Sequence, residues 1–176
     1  MFIKSDHIYF RALESSDLDL LYQCENDPSV WKISNTQTPF SKDTLSQYLE
    51  ISHQDIYTTK QLRLLICLNE TEEAIGTVDL FEFDPAHARV GVGILIFEKH
   101  RSNGFAFEAI QLLKQYAFEV LFVNQLFCNI AASNEKSIAL FEKCSFEKVG
   151  TKKQWNKTAL NQFEDELMYQ YIPKVN

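Results

Sequence analysis

Apolar positions along the chain recur with two periods, and each change of period marks an element. Residues 8–13, with Ile8 and Phe10 alternating against Tyr9 and Arg11, read as an opening strand. Ser15, Ser16 and Asp17 then offer an N-cap for a helix through Leu18, Leu21 and Tyr22 that stops before Pro28. Ser41 is a second cap, followed by Leu45, Tyr48 and Leu49 at helical spacing. Residues 61–68, 74–83 and 89–97 are rich in branched and aromatic side chains, and the breaks at 69–72 and 84–86 are turn material. Such short connections predict an antiparallel meander.

The strongest helix follows. Ala106, Ala109, Ile110, Leu113, Ala117, Val120 and Leu121 form one stripe, with Glu108, Gln111, Lys114 and Glu119 on the other side. Residues 126–132 return as a strand, so 89–132 forms a strand, helix, strand unit with a right-handed crossover and parallel strands. A shorter helix over 135–143 and strands over 146–155 and 166–172 complete the order. The expected class is α/β (α+β): a mixed, mostly antiparallel, twisted sheet of about seven strands flanked by four helices, as one domain over residues 1–176.

Composition narrows the function classes. The longest apolar run, residues 90–97, is far short of the roughly 20 residues a membrane span needs. Residues 1–6, from Met1 and Phe2 onward, have no basic region leading into an apolar core, so a cytoplasmic protein is expected. Cys24, Cys67, Cys128 and Cys144 form no C-x-x-C pair and read as reduced thiols. His7, His53, His87 and His100 are scattered, which gives no metal site. A net charge of −7 without a basic cluster argues against nucleic acid and is compatible with a cationic small substrate, though solubility alone would explain it.

The chemistry concentrates between the third meander strand and the long helix. Arg101, Ser102, Asn103, Gly104, Phe105 and Ala106 make a strand-to-helix turn. Its glycine lets a ligand approach the backbone, and the free N–H groups of a helix start favour phosphate. A lone glycine there is more often a plain turn. The Walker and Rossmann glycine patterns are absent, so nucleotide hydrolysis and dinucleotide redox chemistry lose their support.

These residues resemble the R/Q-x-x-G-x-G/A signature of the GCN5-related N-acetyltransferase (GNAT) family. Some thirty residues on, the segment from Asn134 through Ser137, Leu140, Phe141 and Lys143 to Phe146 is similar to the family's second motif. The likeness spans the chain, weakest in its first 60 residues, and looks closest to the ribosomal-protein and spermidine acetyltransferase branch. It implies acetyl-CoA as co-substrate, with no metal, and direct attack of an amine on the thioester. The acceptor is a polyamine, another small-molecule amine or a protein N-terminus.

The resemblance also implies roles. Residues 101–106 would hold the pyrophosphate, and Ile94, Leu95 and Ile96 lie where the family's backbone N–H polarises the thioester carbonyl. Gly91 and Gly93 would allow a bulge and splay for the pantetheine arm. Asn134 would bond that arm or cap its helix. Ser137 matches a serine that relatives place near the sulfur, whereas Phe141 stands where many carry a tyrosine and so lacks the proton. Deprotonating an amine of pKa near 10.4 costs about 4 to 5 kcal/mol at neutral pH, so a base is needed. Asp79, Glu82 and Asp84 are the candidates, while Arg89 and Asn156 stand where some relatives carry an acid. Glu14, Asp17, Asp19, Glu25 and Asp27 on the first helix would steer a cation, or merely form a solvated helix face. Trp31, Phe40 and Trp155 would wall the acceptor pocket or finish the core. Ser145 replaces a helix-ending glycine. Phe141 also leaves room for a silent acyl-CoA-binding module, and strand edges near the C-terminus would pair subunits as a homodimer.

Overall fold

Alternating, branched segments become seven strands: β1 (Ile8–Ala12), β2 (Leu62–Leu68), β3 (Ala74–Asp84), β4 (Arg89–Ile96), β5 (Gln125–Ala131), β6 (Glu147–Ala159) and β7 (Gln162–Tyr171). They form one sheet in the order β1-β2-β3-β4-β5-β7-β6, antiparallel except where β4 meets β5. The computed structural model describes residues 3–34, 36–52 and 54–174, so His53, Met1 and Phe2 lie outside the described residues.

Six helices accompany the sheet: α1 (Leu18–Glu25), α2 (Pro28–Ser34), α3 (Lys42–Ser52), α4 (Ile56–Thr59), α5 (Phe105–Glu119) and α6 (Glu135–Lys143). The two beyond the expected four are short and locally encoded. Pro28 begins α2 instead of only ending α1, because its fixed φ suits a first helical position. Asp27 Oδ1 accepts from Ser29 N at 2.8 Å there. The Asp55 carboxylate accepts from Tyr57 N and Thr58 N and starts α4. Ser41 caps α3 as expected, accepting from Thr44 N at 3.1 Å. Ser15 and Ser16 do not cap α1; they form a 3-10 turn, and Asp17 Oδ2 accepts from Glu14 N at 2.8 Å.

The two faces carry different helices. On one face α5 and α6 bury Ile66, Ile75, Val90, Ile110, Leu113 and Leu126. On the other, α1 and α3 cover only the β1–β2 end, around Leu21, Leu45, Leu49 and Leu65. The β4–β6 end of that second face is left for the site. Lys114, expected on the polar side of α5, is buried instead. Its Nζ donates to the Cys144 carbonyl at 2.9 Å and lies 3.5 Å from the Tyr171 ring centre, and burial lowers its pKa. The four cysteines are free thiols. No described helix is long and apolar enough to cross a membrane.

Candidate active site

Strands β4 and β5 pair through Arg89–Gln125, Val90–Leu126 and Gly91–Phe127 and then part. Beyond Gly91 no strand among the described residues pairs with that side of β4, so the sheet is forked. A cleft of about 1490 Å³ passes through this fork. Ile94 and Leu95 line it from β4, Asn129 and Ala131 from β5, and Asn134, Ser137 and Phe141 from α6 and its cap.

Gly91 shapes the fork without a bulge of its own. A Cβ there would lie 2.3 Å from Cε2 of Phe81, whose ring meets Phe127 edge to face at 5.9 Å. The bulge lies instead on β3, between Phe81 and Asp84, where Glu82 adopts φ 49°. That corrects the expectation for Glu82 and Asp84. The extra residue leaves Glu82 unpaired and exposed, and Asp84 is tied to His87 N and Arg89, so neither lines the cleft.

The loop before α5 stands ready for an anion. Gly104 is left-handed at φ 84° with open space where a side chain would go, and Ser102 is also left-handed at φ 66°. The Phe107 and Glu108 N–H groups donate to the Gly104 carbonyl, whereas those of Phe105 and Ala106 have no acceptor among the described residues. Arg101 Nε donates to the Ile96 carbonyl at 2.9 Å, fastening the loop to the end of β4, and Asn103 Nδ2 bonds the His100 carbonyl. The His100 side chain is only 12% exposed, and its Nε2 lies 3.2 Å from Glu73.

Asn134 caps α6, its Oδ1 accepting from Ser137 N at 3.1 Å, and its Nδ2 has no partner among the described residues. The Ser137 hydroxyl has no protein partner among the described residues and lines the cleft. Phe141 packs edge to face on Phe146 and forms an apolar wall without a hydroxyl.

On the second face, strand alternation brings charged groups together. Arg63 donates to Asp79 at 2.6 Å through Nε and to Glu25 through Nη1. Burial opposes the Arg63 charge, but Asp79 first among its neighbours outweighs that and holds its pKa above the ordinary value. Asp79 therefore lines the cleft as an ion-paired carboxylate. Burial raises the Tyr48 phenol beside it, and burial with the Glu25 charge pushes the Cys24 thiol up to about 11, which keeps it protonated. Glu166 is paired with Lys152, which also reaches Asn129, and Glu164 accepts from Ser133 N at 3.2 Å. Arg63, Asn129, Glu164 and Glu166 escaped the sequence reading. For Arg63 and Asn129 the only signal is a polar residue set between apolar neighbours in a strand, which does not say which face is open, whereas Glu164 and Glu166 flank Asp165 in an acidic run, and β7 begins at Gln162 rather than at the expected 166.

The first-helix acids are mostly spent on structure. Asp17 pairs with Arg11, Asp19 with Lys42, and Glu25 with Arg63, while Asp27 caps α2. Glu14 is exposed. Trp31 and Phe40 line the cleft; Trp155 does not, and is 62% exposed.

Residues 7–147 match the family described as "Acetyltransferase (GNAT) domain". An uncharacterised N-acetyltransferase, p20, of Bacillus licheniformis is 31% identical over 154 residues, which is 87% of this chain and 86% of that protein. A spermidine N(1)-acetyltransferase of Vibrio cholerae is 25% identical over 146 residues, 83% and 82% of the two chains. The fold is shared with a spermidine N-acetyltransferase from Vibrio cholerae solved in complex with CoA and spermine, at a TM-score of 0.84 and 22% identity over 94% of this chain and 95% of that one. The forked sheet, the open anion loop and the family match over most of the chain agree: the chain belongs to the GNAT acetyltransferase family.

Proposed function

We propose that the protein, over residues 1–176 as one domain, transfers an acetyl group from acetyl-CoA directly to a primary amine held on the face of the sheet shared with α1 and α3. The observation that carries this reading is the fork. It opens a cleft between β4 and β5 whose far end is lined by carboxylates; the loop before α5 does not itself line that cleft, but Arg101 fastens it to the end of β4 through the Ile96 carbonyl.

The residues fit acetyl-CoA. Phe105 and Ala106 N–H would hold the pyrophosphate, Asn134 Nδ2 would bond the pantetheine arm, and a β4 N–H over Ile94–Ile96 would polarise the carbonyl. When bound, acetyl-CoA supplies the activated thioester. Ser137 donates a hydrogen bond toward the leaving sulfur, a role a hydroxyl performs without being a strong acid.

Polyamines, aminoglycosides and peptide N-termini are the acceptor classes. The spermidine named for the Vibrio cholerae relative supports including the first. Phe141 favours a second reading, a silent acyl-CoA-binding module, because it offers no proton at its position. Free thiols fit a cytoplasmic setting. The long edge strand β6, with Val149 and Trp155 exposed, fits a homodimer that light scattering would register.

Calorimetric titration with acetyl-CoA and CoA, followed by thiol release with each acceptor class, tests the reading. Micromolar binding with turnover supports the enzyme, binding without turnover supports the silent module, and no binding at millimolar ligand refutes both. Gly104→Val, strained at φ 84°, is expected to abolish acetyl-CoA binding while circular dichroism stays unchanged.

A further inference from the structure

Four carboxylates line the cleft, and they are not equivalent. Glu25 and Asp79 share Arg63, and Glu166 is paired with Lys152. A carboxylate whose oxygens are taken up by the N–H groups of a cation is less open to a substrate's proton. Glu164 is the exception. Its Oε2 accepts one backbone bond, from Ser133, and no lysine or arginine among the described side chains pairs with it.

The sheet register fixes where Glu164 points. Ala131 is paired with Glu166, and Asn156 with Glu164, and paired residues in an antiparallel ladder share a face. Glu164 thus stands on the same face as Glu166 and Asn129, in the cleft wall. Ser133, which anchors its carboxylate, precedes Asn134, the cap of α6, and Ser137 lies one turn on. The carboxylate is therefore held where the fork meets the open face. Asn156, directly across the hairpin, offers only an amide in the same wall.

Resting on the function proposed above, we infer that Glu164 is the proton acceptor for the attacking amine, supplied from β7 where its β6 partner has no acid. The nitrogen lone pair forms the new C–N bond as the C–S bond breaks. Of the two protons the ammonium gives up, one passes to Glu164 and on to solvent, and the other ends on the leaving sulfur. Arg63 occupies Asp79 and Glu25 with its N–H donors, so they shape the pocket while Glu164 takes the proton.

Three variants test this: Glu164→Gln, Glu164→Asp, and Glu164→Gln combined with Asn156→Glu. Each is assayed with acetyl-CoA and with spermidine, kanamycin and a short peptide bearing a free N-terminus. Calorimetry also measures the binding of each variant to acetyl-CoA, and of the amine to CoA-loaded protein. Glu164→Gln is expected to lower kcat at pH 7 about 100-fold, with the deficit narrowing as the pH approaches the amine pKa. Its acetyl-CoA affinity stays unchanged, its affinity for the amine falls, and moving the carboxylate to position 156 restores at least part of kcat. A Glu164→Gln protein whose kcat stays within twofold, or in which only KM rises, overturns the inference and leaves the acetyltransferase reading standing. Absence of turnover by the unmodified protein overturns both.

Discussion

Asp17 shows how far one side chain can be committed. It is 6% exposed and its two oxygens accept from Arg11 at 2.7 and 2.8 Å, with a third bond from Glu14 N at 2.8 Å. The Arg11 bonds lead in holding its carboxyl below the usual range, against a burial cost of opposite sign. Because the folded pKa is depressed, this stabilisation is complete above the ordinary aspartate value near pH 4 and is lost as the pH falls through the lower folded value. Asp17→Asn is expected to cost about 2 kcal/mol at neutral pH and to flatten the acid limb of the stability curve. Urea titrations between pH 2 and 7 would read both. Neither the pairing nor its sense is visible in the string of acids around the first helix, since an exposed acid and a buried one are spelled alike.

At the scale of an element, α6 lines the candidate cleft and ends under strain. The Phe146 N–H donates to the Phe141 carbonyl and the Ser145 N–H to the Glu142 carbonyl, which closes the helix with a left-handed residue. That residue is Ser145, at φ 65°. A side chain there costs about 1 kcal/mol, so Ser145→Gly is expected to raise the thermal midpoint by a few degrees with acetyl-CoA affinity unchanged. The same helix end receives the buried Lys114 ammonium at the Cys144 carbonyl. Sequence periodicity found α6 with the bounds it has, because Asn134 caps it and its apolar stripe is regular. It did not find α2 or α4, which are too short for a stripe and are announced only by Asp27 with Pro28 and by Asp55.

Across the whole molecule, Arg63 ties the helices to the sheet. It joins Glu25 at the end of α1 to Asp79 on β3, under the Tyr48 ring of α3 at 5.9 Å. Removing it leaves two half-buried carboxylates without their cation. Arg63→Leu is expected to destabilise the fold by about 3 kcal/mol. Hydrogen exchange should then rise in α1–α3 while α5 stays protected, since α5 packs on the opposite face. Uniform loosening of both faces would contradict this division.

Local chemistry was legible in the sequence. Period and caps specified the strands, the long helix α5, α6 and the glycine turn at Gly104, because each depends on neighbours within a few residues. Residues 101–106, Asn134 and Ser137 were singled out by their resemblance to family motifs, and of these Asn134 and Ser137 line the cleft. Tertiary structure alone decided where charge goes. Asp79 is bound by Arg63, Glu82 is turned out by the bulge, Trp155 lies off the cleft, and Glu164 stands in the wall without a cation. Those outcomes depend on register and on side chains from distant strands meeting on one open face. A period of two tells which residues share a face, and only the packed sheet tells which face the helices leave uncovered.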